Sequence, residues 1–336
     1  MLKLRPGKLD PDLLSRLLAE NEIEDERVVV RPGVGRDVCA IRRGEKYLIA
    51  KTDPITFATS RIGWYVVHVN ANDIATVGAR PSWFLVTVLL PEKDTDEALV
   101  QGIWNDLRQA LDGIDCELCG GHTEVTVGLD RPILVGQMLA EVDADRLVDK
   151  KSTRAGDRVL ITKGAPVEGT AIMAFEKGDL LADSFSPDDV ERAREFLEKP
   201  GISVLTEALA ACDAGDVHAM HDPTEGGVAT GLWELAKASH LGMLIHAKHI
   251  PLIEPGVSFC QELGLDPLGT ISSGTLLICV DADNAEAIRE AVRSQGIACR
   301  DIGEMRPEEE GIVLERDGKR VPMPTFPQDE ISRLFK

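Results

Sequence analysis

A polar, loop-like segment near the middle of the chain is the feature that most constrains the fold. Residues 151–157 read Lys-Ser-Thr-Arg-Ala-Gly-Asp, and the pattern predicts a new strand over Arg158–Thr162. Such a change in composition is typical of a domain boundary. The chain has 336 residues, which is enough for about two domains of ordinary size. The sequence therefore predicts two domains, residues 1–150 and residues 151–336.

The hydrophobic pattern predicts a different architecture for each half. The first half contains a leading helix (Asp10–Ala19), short strands (Val28–Val30, Val38–Ile41, Tyr47–Thr52), a long helix from near Ser60 to before Gly78, a buried strand (Trp83–Leu90), a helix (Asp94–Leu111) and a strand pair near Glu117 and Ile133–Leu139. The second half adds a Ser186-capped helix, a helix over Gly227–Ala238, and strands near Leu244, Gly274–Val280 and Ile312–Glu315. The predicted class is α/β, with a mixed-sheet N-terminal domain and an α+β C-terminal domain.

The charge balance excludes several classes of function. The chain carries 57 acidic and 37 basic residues, and its net charge of −20 repels nucleic acid and anionic membranes. The longest apolar run, Trp83–Leu90, is too short to span a bilayer. The N-terminus has no apolar signal segment. We therefore expect a cytoplasmic protein that binds neither nucleic acid nor a membrane.

Chemistry-bearing residues are gathered in five short segments. There is no P-loop and no Rossmann dinucleotide motif. The segments that combine acids with glycine, threonine or histidine are Gly33–Asp37, Lys51–Asp53, Asn72–Asp73, Gly120–Glu124 and His221–Gly227. Each one alone is typical of a solvated turn. They acquire a joint function only if folding brings several of them together.

Convergence of the acids would require a compensating cation. Two carboxylates about 4 Å apart repel by roughly 4 kcal/mol at an effective dielectric constant near 20. Mg²⁺ compensates naturally, because it prefers oxygen ligands and is bound through one or two carboxylates together with nucleotide phosphates. Asp37, Asp53 and Asp73 are the candidate ligands. His68 shares a helical face with Asn72 and is expected to be a packing or hydrogen-bonding neighbour rather than a base.

Taken in order, these segments resemble the aminoimidazole ribonucleotide synthetase superfamily. The resemblance lies in the segment ending at Asp37, Thr52–Asp53, Asn72–Pro81, Gly120–Thr123, Asp222–Gly227 and Ser272–Leu277. It implies a homodimer in which the N-terminal domains together form a β-barrel, and ATP bound in a cleft between the N- and C-terminal domains. It further implies transfer of phosphate to an oxygen or amide-type group of a small-molecule substrate.

The resemblance also implies roles for individual residues. The implied Mg²⁺ ligands are Asp37, Asp53 and Asp73. The implied ATP-binding residues are Gly35, Lys51, Asn72, Gly120, Gly121, Thr123, Thr162, Lys163, Gly164 and Thr224. The implied catalytic residues are Asp53, His122, Asp222 and Glu225. Arg36 and His122 depart from the pattern, since several members carry acids there.

Three functions fit this resemblance. Gly78–Pro81 and Asp222–Gly227 are similar to segments of the hydrogenase maturation factors, but the chain ends at Ile331–Lys336 without the terminal cysteine of those factors. We therefore expect a relative that activates another substrate with Mg²⁺ and ATP. A second possibility is a small-molecule kinase that resembles thiamine-monophosphate kinase. A third is a non-catalytic nucleotide-binding protein partner in a maturation complex.

Overall fold

Two compact units make up the protein as it is described by a computed structural model, which covers residues 8–56 and 58–335. The N-terminal unit contains residues 26–30 and 37–147. The C-terminal unit contains residues 8–25, 31–36 and 148–335 of those described. The glycine-rich segment 33–36 therefore belongs to the C-terminal unit, whereas Asp37 begins the main part of the N-terminal unit.

The described residues form ten α-helices and thirteen strands. The helices are α1 Pro11–Ala19, α2 Ile62–Ala75, α3 Glu97–Ile114, α4 Glu168–Glu176, α5 Gly178–Leu181, α6 Pro187–Arg194, α7 Leu205–Ala214, α8 Gly227–Ser239, α9 Gly256–Glu262 and α10 Ala285–Ser294. The strands are β1 Val28–Val30, β2 Cys39–Arg43, β3 Lys46–Ile55, β4 Arg80–Pro91, β5 Glu117–Thr126, β6 Ile133–Asp143, β7 Arg158–Thr162, β8 Val217–His221, β9 Gly242–His246, β10 Leu277–Val280, β11 Cys299–Arg306, β12 Ile312–Arg316 and β13 Lys319–Pro322. None of these helices is long and apolar enough to cross a membrane.

The N-terminal unit is one mixed sheet covered by α2 and α3. Within the described chain the strand order is β1-β2-β3-β6-β4-β5, and β5 is parallel to β4. Helix α2 packs on β3, β4 and β6, and α3 packs on α2. Every residue of α2 except Trp64 is therefore buried, which takes His68, Asn70, Asn72 and Asp73 into the interior. Buried polar groups need partners, so these four side chains are candidates for a functional site.

The C-terminal unit is built on a second, mostly antiparallel sheet. Its described strands run in the order β13-β12-β9-β11-β7-β10-β8. The predicted Ser186 cap is present, since its side chain accepts a hydrogen bond from the backbone N–H of Asp189. Helix α8 begins at Gly227, as the sequence predicts. The predicted class is thus confirmed, although β8 and β13 were not predicted as strands.

Strand β5 corrects one sequence expectation. The residues expected to form a loop, Gly120–Thr123, lie inside this ten-residue strand. All its residues but the last are exposed, because β5 is an edge strand of the described sheet. The six strands do not close into a barrel within one chain, so a barrel needs a second chain.

We expect Gly121→Ala to destabilise the protein. Gly121 has a φ of +148°, and a Cβ at this position would lie 2.0 Å from the carbonyl oxygen of Val86 on β4. Backbone strain and overpacking each cost about 1–3 kcal/mol, so the free energy of unfolding should fall by at least ~2 kcal/mol in urea denaturation. Gly102→Ala is the control, since its Cβ meets no atom within 4 Å and it lies inside α3, where alanine stabilises. Equal effects of the two changes would contradict this account.

Candidate functional site

Strand β3 carries a lysine and an aspartate on the face that meets α2. Side chains alternate along a strand, and the buried residues Tyr47, Ile49 and Ile55 define this face. Lys51 and Asp53 fall in the same alternation. They occupy positions that a purely structural strand would fill with apolar side chains.

Helix α2 brings a second aspartate to the same place. The Nζ of Lys51 lies 2.7 Å from Oδ2 of Asp73 and 3.2 Å from Oδ2 of Asp53. The side chain of Lys51 is only 15% exposed and that of Asp73 only 7%. One buried ammonium group therefore connects β3 to the last turn of α2. We call Asp37, Lys51, Asp53 and Asp73 the acid–lysine cluster.

The electrostatics of the acid–lysine cluster are dominated by its excess of acids. Burial lowers the pKa of Lys51, but the charges of Asp73, Asp53 and Asp37 outweigh burial and raise this pKa above its ordinary value. Burial raises the pKa of Asp73 to about 7, and the charges of Asp37 and Asp53 act in the same direction, whereas Lys51 lowers it. The cluster thus contains three acids and one permanently charged cation. It would accept further positive charge.

An asparagine on α2 fixes the backbone beside Asp53. The Nδ2 of Asn70 donates to the carbonyl oxygens of Val66, at 2.8 Å, and of Asp53, at 3.3 Å. Gly136 on β6 makes room, since a Cβ there would lie 2.3 Å from this Nδ2. Thr52 also donates to the carbonyl oxygen of Gly136 at 2.9 Å. Sequence reasoning missed Asn70, although an asparagine two residues before Asn72 in an apolar helix is a usable signal.

The donor chemistry of the cluster fits a hard cation. Carboxylate oxygens are the ligands that Mg²⁺ prefers, and Asp37, Asp53 and Asp73 supply them. Among the described residues no three His, Cys, Asp or Glu side chains are already grouped as a metal site. The ammonium of Lys51 instead contacts two of the three acids. The position between Asp53 and Asp73 therefore stabilises a cation, and in this structure that cation is the ammonium group of Lys51.

The Gly120–Thr123 segment lies level with Asp53 along the strand direction but three strands away across the sheet. The register joins Asp53 to Gly136, Gly136 to Val86, and Val86 to Gly121. Three strand spacings make this about 14 Å. His122 is 65% exposed and lies 3.1 Å from Glu124. Within one chain His122 is therefore remote from the acid–lysine cluster.

In the C-terminal unit, backbone amides hold the Asp222–Gly227 segment. It connects β8 to α8. The Oδ1 of the buried Asp222 accepts from the N–H of Gly274 at 3.2 Å, and Oδ2 of Asp329 accepts from the N–H of Gly226 at 2.6 Å. Burial raises the pKa of Asp329 to about 7, although three backbone N–H donors lower it. Asp329 was not predicted, because it lies about a hundred residues away in sequence.

A hydrogen-bonded chain connects the glycine-rich segment to Asp222–Gly227. The Nζ of Lys150 donates to the carbonyl oxygen of Gly35 at 2.6 Å and contacts Nδ1 of His221 at 3.0 Å. An ammonium only donates, so His221 carries its proton on Nε2, which lies 2.9 Å from Glu234. The other oxygen of Glu234 accepts from Lys8 at 3.2 Å.

Lys8 completes this chain at the candidate motif itself. Its Nζ lies 3.1 Å from Oγ1 of Thr224 and 3.5 Å from Oε2 of Glu225. The polar chain from Gly35 to Thr224 is thus continuous within the C-terminal unit. Nothing in the local sequence indicates these lysines, because the contacts span up to 226 residues.

Lys163 and Arg36 are held by contacts within the C-terminal unit. The ammonium of Lys163 lies 2.9 Å from Oε1 of Glu207 and donates to the carbonyl oxygens of Gly201 and Ser203. Those three acceptors use its three donors, so binding of a phosphate by Lys163 would require one contact to break. The flanking Thr162 and Gly164 are buried. Arg36 lies 3.7 Å from Asp149.

Two known family domains match the two halves of the chain. The family of AIR synthase related proteins, N-terminal domain, matches residues 35–142, and that of the C-terminal domain matches residues 154–315. The chain is 31% identical to carbamoyl dehydratase HypE of Bradyrhizobium diazoefficiens, over 75% of this chain and 70% of that protein. It is 27% identical to a putative hydrogenase expression/formation protein of Methanocaldococcus jannaschii, over 92% and 91%. It is 24% identical to thiamine-monophosphate kinase of Escherichia coli, over 90% and 92%.

Solved structures share the fold. The HypE–HypF complex contains a chain with a TM-score of 0.74 and 21% identity, covering 94% of this chain and 99% of that one. HypE in complex with ATP has a TM-score of 0.71 and 24% identity, covering 84% and 86%. A thiamine-monophosphate kinase structure with AMPPCP and TMP has a TM-score of 0.71 and 20% identity, covering 94% of each chain. At these identities the likeness concerns the fold.

The buried Glu168 should make stability fall with rising pH. Burial raises its pKa from 4.5 to about 8, with Glu225 and Asp329 adding to the shift and its hydrogen bond with Ser273 opposing it. Because the folded state binds this proton more tightly, the stabilisation is complete below pH 4.5 and is lost as pH rises towards 8. Glu168→Gln should therefore match the wild type near pH 5 and be more stable above pH 8.

Urea denaturation across pH 5–9 measures this effect. The wild-type free energy of unfolding should fall relative to the variant by up to about 1.4 kcal/mol per pH unit. Glutamine keeps a carbonyl oxygen for the N–H of Ser273, which lies 3.3 Å from Glu168. Glu290→Gln, an exposed change of equal charge on α10, is the control and should leave the profile unchanged. Superimposable profiles for Glu168→Gln and the wild type would refute the assignment.

Proposed function

Because the chain belongs to the AIR synthase related family, we propose that it is a Mg²⁺- and ATP-dependent enzyme that phosphorylates, and so activates, an oxygen or amide-type group of a small substrate. The observation that carries this proposal is the acid–lysine cluster, in which one lysine on the inward face of β3 contacts Asp53 and Asp73 and is also influenced by the charge of Asp37. A purely structural strand has no need of such a group. The complex of HypE with ATP supports the nucleotide.

The proposed reaction is an in-line phosphoryl transfer. The acceptor oxygen attacks the γ-phosphorus, the bond to the β,γ-bridging oxygen breaks, and ADP leaves with the bonding electrons. On an amide-type carbonyl, the phosphorylated oxygen then departs as inorganic phosphate when the C–O bond breaks. Mg²⁺ would neutralise charge on the phosphate oxygens, held by Asp37, Asp53 and Asp73. Lys51 would add a second positive charge, and Asn72 would lie beside the acids.

The C-terminal unit would contribute positioning and phosphate or substrate contacts. Asp222 is held by a backbone amide, so its carboxylate is fixed in orientation. Thr224 and Glu225 are joined to Lys8, and the two glycines that follow have positive φ values. Among the remaining predicted residues, His122 with the Gly120–Thr123 segment would contact phosphate or substrate.

A homodimer is part of this proposal. The edge strand β5 is exposed over nearly all its length, and Leu118, Val125 and Val127 are exposed by 37%, 56% and 74%. Long exposed edge strands with apolar side chains are normally covered in native proteins. Pairing with a second copy would cover β5 and could close the barrel expected of the family.

A kinase that resembles thiamine-monophosphate kinase is the alternative that the comparisons favour. The similarity to that enzyme covers 90% of this chain. The two reactions differ in the fate of phosphate, because a kinase leaves it on the product. Mass spectrometry of reactions with candidate acceptors separates them. A stably phosphorylated product supports a kinase, and a dehydrated product with free phosphate supports activation.

We expect Asp53→Asn and Asp73→Asn each to weaken Mg²⁺-dependent ATP binding by at least tenfold, about 1.4 kcal/mol. Each change removes a negative oxygen donor from the proposed cation site. Isothermal titration with and without Mg²⁺ measures the effect, and thermal melts verify folding. Asp130→Asn is the matched control, since Asp130 is 85% exposed and paired only locally with Arg131.

The outcomes of this titration separate the proposals. If folded wild-type protein shows no Mg²⁺-dependent ATP binding, the enzymatic and nucleotide-binding proposals both fail. ATP binding that depends on both acids, without turnover of any acceptor, would favour a non-catalytic partner. The HypE–HypF complex is a precedent for a protein assembly of this fold.

We expect Val125→Lys to convert the proposed dimer into a monomer. The change puts a charge on the exposed edge strand, where it must be desolvated if a second chain pairs there. Light scattering after size exclusion should give twice the mass of one chain for the wild type and one chain mass for the variant. Leu17→Lys, at a side chain of α1 that is 50% exposed, should remain dimeric. A wild-type monomer at micromolar concentration would refute the dimer.

A further inference from the structure

We propose that Lys51 is an internal counter-ion that occupies the cation position between Asp53 and Asp73, and that a divalent cation must displace it to bind there. The released ammonium group would then interact with nucleotide phosphate. This inference rests on the proposed function and adds a competition within the same site. Lys51 thus opposes metal binding alone and favours binding of the metal together with a nucleotide.

The competition follows from shared oxygen atoms. The Nζ of Lys51 contacts Oδ2 of Asp53 at 3.2 Å and Oδ2 of Asp73 at 2.7 Å. Mg²⁺ binds carboxylate oxygens at about 2.0–2.1 Å. Asp53 and Asp73 would hold a divalent ion with the same carboxylates that now contact the ammonium group, and two cations at such close range repel strongly. The two cations therefore cannot both occupy the position.

Lysine is suited to leaving this position. Its charge lies at the end of a flexible four-carbon stem and moves without disturbing the backbone. Asp73, in contrast, is fixed on the buried helix α2, and the backbone of Asp53 is held by Asn70. The acids are thus the fixed part of the cluster and Lys51 is the part that can move. Metal would bind to acids that the fold already holds in place.

The simpler alternative is a permanent ion pair that only stabilises the fold. A permanent pair predicts that removal of Lys51 disorders the acids and leaves metal binding unchanged or weaker. Competition predicts instead that removal of Lys51 strengthens metal binding in the absence of nucleotide. The sign of the change in metal affinity therefore decides between these two roles.

The test is a Mn²⁺ titration of nucleotide-free protein, followed by electron paramagnetic resonance. Under competition Lys51→Met should bind Mn²⁺ at least about tenfold more tightly than the wild type, because the competing cation is gone. The same variant should bind Mg²⁺–ATP at least about fivefold more weakly. Lys46→Met is the matched control, because Lys46 lies on the same strand, is 53% exposed and pairs with Glu141. It should change either affinity less than twofold.

Two further measurements keep the test decisive if Lys51→Met is unstable. Its melting temperature should rise more on addition of Mn²⁺ than that of the wild type, because metal replaces the missing charge. Lys51→Arg keeps a cation and should retain wild-type affinity for Mn²⁺. A Lys51→Met protein with unchanged or weaker Mn²⁺ affinity and no extra thermal stabilisation by Mn²⁺ overturns the inference.

Failure of this inference is distinguishable from failure of the proposed function. If Mg²⁺–ATP binds and depends on Asp53 and Asp73 but Lys51→Met gains no affinity for Mn²⁺, only the competition is wrong. If neither the wild type nor Lys51→Met binds Mn²⁺, whether ATP is present or absent, the competition and the metal-dependent function are both wrong.

Discussion

The ion pair between Lys51 and Asp73 is the interaction on which the N-terminal unit depends. Helix α2 is buried on nearly all sides, so a charged Asp73 within it needs a partner that is buried too. Lys51 reaches it because α2 packs on β3, and β3 pairs with β6 in a register that places Asp53 opposite Gly136. The same glycine leaves room for Asn70 to bond the backbone of Asp53. The acid–lysine cluster is therefore positioned by three features together: the register of β3 with β6, the absence of a side chain at Gly136 and the burial of α2.

The acids of the acid–lysine cluster and the buried acids around the Asp222–Gly227 segment are stabilised in different ways. In the N-terminal unit the partner is a side-chain ammonium on a flexible stem. In the C-terminal unit, Asp222, Asp329 and Glu168 accept from backbone N–H groups. Backbone donors cannot leave without unfolding the turn, whereas a lysine can. The first arrangement suits an exchange of cations, and the second suits fixed orientation.

Local patterns predicted many of the elements but missed others, such as α7 and α10, and missed the long-range contacts. Val28–Val30, Arg158–Thr162 and the start of α8 at Gly227 agree with the structure, because alternation, apolar runs and glycine act within a few residues. Gly120–Thr123 was expected to be a loop, since an exposed edge strand has no buried face to produce alternation.

The same limit applies to the candidate site, where the sequence indicated residue types but not the contacts between distant segments. The residue types of the acid–lysine cluster were predicted, but the contact of Lys51 with Asp73 depends on how α2 packs on β3. The chain from Lys8 through Glu234 to Lys150 could not be predicted, because its members are separated by as many as 226 residues. Contacts of this kind are fixed by tertiary packing and leave no local pattern.

Under the proposed function, the edge strand β5 would connect assembly with ligand binding. Its outer backbone groups have no strand partner within the described chain, so they are free to bond either a second chain or a ligand. One N–H group cannot fully serve both. Gly120 and Gly121 lie at the sheet level of Asp53, whereas Val125 lies further along the strand, at the level of Leu90. A dimer that pairs through the Val125 end would leave the two glycines accessible to phosphate. A dimer that pairs along the whole strand would assign the phosphate contacts to other residues, so the pairing register decides whether this segment can bind ATP.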